Sequence, residues 1–191
     1  VKTANEYGMS VAAHAHGVEG MRRAIKAGVQ TIEHGSLMDL ETAQLMKKYG
    51  TYLVPTLSAG RYVAGKADVP NYYPEIIVPK IKLIDAQLKK TFAMVQKEGV
   101  NIAFGTDAGV FPHGENAKEF GYMVETGWSP MFSIQSATIT NAKLLDMEND
   151  LGQLQPGFIA DIVATSEDPT KNIKTTENVV FVMKEGKIYK Q

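Results

Sequence analysis

The feature that most limits how this chain can fold is a phrase repeated near its start. VAAHAHG and VQTIEHG are short apolar runs that each close on a histidine, and the segment between them, VEGMRRAIKAG, has the length and pattern of one helix. Strand, helix, strand is the βα unit of a parallel sheet, in which every strand points the same way. His14 and His34, at the ends of successive strands, therefore emerge at one C-terminal rim. Alternation puts Ala12, His14 and His16 on one side of the first strand and Val11 and Ala13 on the other.

The following segments continue the pattern. Met9–His14 and Val29–His34 are the first two strands, with Glu19–Ala27 as the helix between them and Gly28 as its stop. Asp39 is placed to cap a helix through Lys48, and Thr51–Pro55 is the third strand. The stretch from Leu57 to about Pro74 holds Gly60, Gly65, Pro70, Tyr72 and Tyr73 and reads as a long loop, a lid or a mobile segment. A helix from Pro79 to Glu98 leads into a fourth strand, Asn101–Thr106, which brings Asp107 to the same rim. On that strand Ala103, Gly105 and Asp107 share the inward face while Ile102 and Phe104 face the helices.

Past Asp107 the sequence predicts a loop at Ala108–Glu115 and a helix at Asn116–Glu125. A second helical stretch starts at Ser129-Pro130 and runs to about Asp146, with a break near Thr140-Asn141. The grammar then changes to short β runs at Leu154–Thr165, Val179–Lys184 and Lys187–Tyr189, the last two joined by a Glu185-Gly186 turn. This predicts an α/β domain over residues 1–150 and a small β part over 151–191. Four βα units are half of an eight-stranded barrel, but an open four-stranded parallel sheet satisfies the same pattern.

Two histidines and an aspartate meeting at one rim suggest a metal-dependent hydrolase, or part of one. Composition narrows the partners. Lys+Arg (20) balance Asp+Glu (21) with no basic block, which argues against nucleic acid, and no apolar run is long enough for a membrane span. The absence of cysteine rules out disulfides and thiolate ligands. Arg61, beside two tyrosines in the predicted lid, and His113, in FPHGEN, are candidate contacts for a substrate. Nothing in the sequence names a compartment. VKTANEYG has no start methionine or targeting pattern and looks like the tail of a helix capped by Gly8, so the chain is expected to begin inside a fold.

HAHG, IEHG, FGTDAG, LGQLQPGFIADIVA and VMKEGKIY, in that order, resemble the C-terminal half of the amidohydrolase superfamily, closest to the branch of prolidase-like dipeptidases and imidazolonepropionase. The resemblance implies a (β/α)8 TIM barrel whose strands five to eight lie in this chain, beside the C-terminal strands of a small β-sandwich. It implies two divalent metal ions, zinc first among the candidates, which activate a hydroxide for attack on an amide. His14 and His34 would hold one metal; Asp107 would bind the second and act as acid/base. His14-Ala15-His16 also spells the HxH of the family's first strand, but IEHG follows only one βα unit later. That spacing puts His14 on the metal and His16 one pleat beyond, facing the substrate carbonyl as a second catalytic group.

Two of the family's features are missing from these residues: the first-strand HxH and the fourth-strand lysine that bridges the metals. The site is therefore expected to be incomplete on this chain, with the missing N-terminal half or a second copy as partner. The expected substrate is a small-molecule amide or a dipeptide, with prolidase-like cleavage leading and cyclic amide hydrolysis of the imidazolonepropionase type as alternative. A non-catalytic half-barrel fragment or interaction module is the alternative of another class.

Overall fold

The apolar runs of the first hundred residues become the strands of a parallel sheet. The computed structural model describes all 191 residues, which fall into two units, Val1–Phe111 and Pro112–Gln191. The first unit runs α1 (Lys2–Glu6), β1 (Ala12–Ala15), α2 (Val18–Ala27), β2 (Thr31–His34), α3 (Leu40–Tyr49), β3 (Tyr52–Val54), α4 (Leu57–Lys66) and α5 (Val78–Glu98). β1, β2 and β3 lie side by side in parallel, with His14 opposite Glu33 and Ala15 opposite His34.

The helices start and stop where local chemistry directs. Asp39 accepts a hydrogen bond from the Thr42 amide at the start of α3. The Arg22 guanidinium reaches Asp39 at 2.6 Å, Glu41 at 2.9 Å and Thr42 Oγ1 at 3.0 Å, which ties α2 to the first turn of α3. α2, α3 and α5 each end at a glycine in the left-handed region. Ile32, Leu53 and Ile102, together with Met21, Ile25, Ala43, Met46, Phe92 and Val95 from those helices, are between 0% and 3% exposed. Each of these side chains larger than alanine contributes about 1.5–3 kcal/mol on burial. This one-sided core fixes the strands, and with them the direction of the histidines.

Two expectations for this unit need correction. The segment after Leu57 is not a loop: its first ten residues form α4, packed against α5. Gly60 looked like a helix breaker, yet a Cβ there would lie 3.3 Å from Leu88 Cδ1, so the glycine serves close helix approach. The fourth strand, Asn101–Thr106, is reduced to a single parallel bridge between Ile102 and Leu53. Leu53 donates to the Asn101 carbonyl at 2.8 Å and accepts from the Ala103 amide at 2.9 Å. The next donor along β3 would be residue 55, and Pro55 has no N–H, so the ladder stops.

The second unit contains α6 (Lys118–Glu125) and α7 (Pro130–Gln135), whose N-cap Ser129 accepts from the Phe132 amide at 3.1 Å. A π turn at Ser136–Thr140 separates α7 from α8 (Asn141–Leu144), at the break read from the sequence. An antiparallel sheet follows: β4 (Ile162–Thr165), β5 (Val179–Lys184) and β6 (Lys187–Lys190). The β run expected from Leu154 starts only at Ile162, because Pro156 and Gly157 make a turn. Glu185 and Gly186, at φ 51° and 77°, form the tight hairpin between β5 and β6.

Candidate active site

The parallel register brings three imidazoles together. His14 stands on β1 and His16 just past its end, while His34 closes β2. Their ring centroids lie 4.8 Å (His14–His16), 4.5 Å (His14–His34) and 4.9 Å (His16–His34) apart. One nitrogen of each falls within 4.8 Å of the others.

Two of the rings are held from behind. His16 Nδ1 lies 3.0 Å from Ser36 Oγ, and His34 Nδ1 lies 2.6 Å from Thr56 Oγ1. A ring whose Nδ1 is engaged with a hydroxyl keeps Nε2 for another partner and has a fixed orientation. Burial lowers the His34 pKa to about 4, and the neighbouring His16 and His14 add to this while Asp107 opposes it. Burial also lowers His16, with His14 and Lys80 acting in the same direction. Both rings are therefore neutral near pH 7, the form in which imidazole ligates a cation.

The backbone at this rim is unusual. His34, Thr56 and Asp107, each just past a strand run, have φ of 72°, 48° and 56°. Non-glycine residues avoid this region, β-branched ones most of all. Gly35 follows at φ 60°, where a Cβ would lie 2.6 Å from Leu53 Cδ1, so a larger residue behind His34 would be strained and would push that side chain aside.

A cavity of about 240 Å³ opens over the cluster. His14, His16, His34 and Asp107 line it together with Leu57 and Val63 of α4 and Ile81, Ile84, Asp85 and Leu88 of α5. Asp107 is thus brought to the histidines, as the sequence led one to expect. Arg61 is not: it sits on the exposed side of α4, outside the lining. His113 is an exposed residue of the second unit.

Sequence reading missed several participants. Ser36 and Thr56 orient the rings, and their only signal was position, two residues after one histidine and one residue after Pro55. Glu33 shares the inward face with His14 through the register, which alternation along β2 could have revealed. Burial raises its carboxyl above the usual range; a hydrogen bond from Thr31 opposes this, and the charge of Asp107 adds to it.

The donor set fits a divalent cation. Neutral imidazoles with anchored Nδ1 atoms, beside a carboxylate, suit zinc and similar ions. An α/β unit with such donors gathered at the C-terminal ends of parallel strands has the layout of a metal-site α/β protein.

The chain belongs to the amidohydrolase family, whose sequence model matches residues 1–189. Members of this family generally bind divalent metal. Ochratoxinase of Aspergillus niger is 36% identical over 186 residues, covering 94% of this chain and 38% of that protein. The crystal structure of a Xaa-Pro dipeptidase with methionine bound in its active site is 52% identical with a TM-score of 0.96, covering 100% of this chain and 47% of the other. A prolidase complexed with N-methylphosphonate-L-proline is 28% identical with a TM-score of 0.89, again with 100% and 47% covered. The α/β fold matches the C-terminal half of amidohydrolase proteins. The chain spans about half or less of the length of the relatives it matches.

Proposed function

We propose that this chain carries part of the active site of a metal-dependent amidohydrolase that cleaves an amide bond, with an Xaa-Pro dipeptide as the leading substrate. One observation carries the reading: His14, His16, His34 and Asp107 line one cavity together with a largely apolar set of residues from α4 and α5. The 52% identical dipeptidase with bound methionine supports the peptidase choice, because an apolar wall of Leu57, Val63, Ile81, Ile84 and Leu88 suits a flexible apolar side chain. In the same reading β1, β2, β3 and the Ile102 bridge are barrel strands five to eight. Residues 1–150 belong to the barrel and 151–191 to a composite sandwich. The remaining half of the barrel supplies the first-strand HxH and the bridging lysine.

His14 and His34 would hold one divalent ion, and Asp107 would contribute to a second. Bound there, such ions polarise an amide carbonyl and lower the pKa of the attacking water. The chain's own residues do the rest. The hydroxyls of Ser36 and Thr56 hold the His16 and His34 rings in place. The Asp107 carboxylate takes the proton released as water attacks and passes it to the leaving nitrogen, which departs as a neutral amine. His16 donates to the substrate carbonyl oxygen. A second reading rests on a distance of its own. His16 lies 4.9 Å from His34, nearly as close as His14 does, so all three rings are placed to share one ion.

The test uses the enzyme that contains this chain, assayed on Xaa-Pro dipeptides with metal content measured in parallel. His14→Ala and His34→Ala should each lower metal content and hydrolysis together. His16→Asn should lower hydrolysis and leave the metal in place; loss of metal would select the second reading. An enzyme that binds metal and cleaves no Xaa-Pro bond would remove the peptidase assignment.

A further inference from the structure

One residue of the cavity wall has no part in the chemistry above. Asp85 lies on α5 and lines the cavity together with Ile81, Ile84 and Leu88 of the same helix. These positions are four before, one before and three after it, which is one face of a helix. That face is otherwise apolar. None of the lysines of this part of α5 pairs with it: Lys80 is exposed, though near enough for its charge to act on His16, Lys82 pairs with Asp68 at the surface, and Lys89, at the i+4 position that favours pairing with Asp85, is exposed. The Asp85 carboxylate, half-buried, has neither a hydrogen bond nor an ion pair within the chain. A carboxylate placed on an apolar wall loses hydration and gains nothing unless a ligand completes it.

We infer that Asp85 is a specificity determinant of the cavity, pairing with an ammonium group of the substrate whose apolar side chain lies along α4 and α5. This rests on the reading of the cavity as the substrate site and deepens it. Substrates with a free amine are favoured over N-acylated ones of the same shape. The ammonium is the α-amine of a dipeptide or the side-chain amine of a basic residue, and the two sources share one chemistry. A charge-assisted bond of this kind in a partly desolvated cavity is worth about a tenfold difference in affinity.

Binding decides it, measured by calorimetry at pH 7, below the ordinary α-amino pKa, on the enzyme that contains this chain. Three probes are compared between wild type and Asp85→Asn: L-methioninamide, with an α-ammonium; N-acetyl-L-methioninamide, neutral with the same side chain; and N-acetyl-L-lysinamide, with the charge at the side chain. The expected result is about tenfold weaker binding of a cationic probe to Asp85→Asn, with the neutral probe unchanged within about twofold. The affected cationic probe identifies the source. An equal change across all three probes, or none in any, overturns the inference. If the charge selectivity holds while no Xaa-Pro bond is cleaved, the peptidase reading fails and the role of Asp85 stands.

Discussion

The two ends of the parallel strands in the first unit use the same backbone conformation for opposite purposes. At the end where helices feed into strands, the left-handed positions are all glycines, among them Gly28, Gly50 and Gly99 at φ 89°, 71° and 69°. At the other end Gly35 is joined by three non-glycine residues, His34, Thr56 and Asp107. Glycine takes this conformation without steric cost, so the first rim is cheap connection. A threonine, an aspartate and a histidine do not, so the second rim holds strain that the core beneath it must offset. All three strained residues line the cavity. His34 and Asp107 turn toward the cavity, and Thr56 steadies His34.

The largest effect expected from this contrast is at Asp107. In the enzyme containing this chain, Asp107→Asn should lower kcat by about 10²–10⁴ and leave KM nearly unchanged, because an amide cannot accept the proton. Steady-state kinetics check this, and a change confined to KM would place Asp107 in binding alone.

Thr56→Gly comes next. It relieves the left-handed strain and removes the hydroxyl behind His34. Metal affinity should fall about 10–100-fold, as for the loss of other groups that orient a ligand. Thermal stability should change by less than about 1 kcal/mol, since relief of strain offsets the greater chain entropy of glycine. Competition with a metal-sensitive chelator and a melting curve give the two numbers.

Gly50→Ala, at the quiet rim, should do the reverse. It destabilises by about 1 kcal/mol through the left-handed penalty and leaves metal affinity alone. If it altered the metal site as strongly as Thr56→Gly, the distinction between the rims would collapse.

The smallest effect lies outside both rims, at Asp39. Burial tends to raise its pKa, but hydrogen bonds from Thr42 and Arg22 prevail and hold it below the ordinary carboxylate range. Its contribution to stability is therefore present above that range and lost as pH falls through the depressed value. The pair is only half-buried and water screens it, so denaturant titrations of wild type and Asp39→Asn at pH 7 should differ by only about 0.5 kcal/mol, and by less in acid.

Legibility in the sequence followed how local the cause was. Helix stops at Gly28, Gly50 and Gly99, the Asp39 cap and the meeting of His14 with His34 rest on residues adjacent in sequence, or on the strand period, and could be read. Two features could not, because their causes lie elsewhere in the chain. Gly60 sits within a helix at a point where Leu88 of α5 comes close, a neighbour no local pattern announces. The run at Asn101–Thr106 has strand composition, and it is Pro55 on its neighbour that ends the pairing. The same holds at the site. Asp107 was visible from the end of its run, whereas Ser36, Thr56 and Asp85 gain meaning only when folding sets them beside the imidazoles or on the cavity wall.

Whether the strained rim is a metal centre is decided by metal analysis of the histidine variants. The enzyme containing this chain should be purified as wild type and as the His14→Ala/His34→Ala double variant, and bound divalent ions counted by elemental analysis alongside a circular dichroism check of the fold. The double variant should fold and have lost at least one bound ion per chain. A folded double variant with the wild-type metal content would contradict the metal-centre assignment.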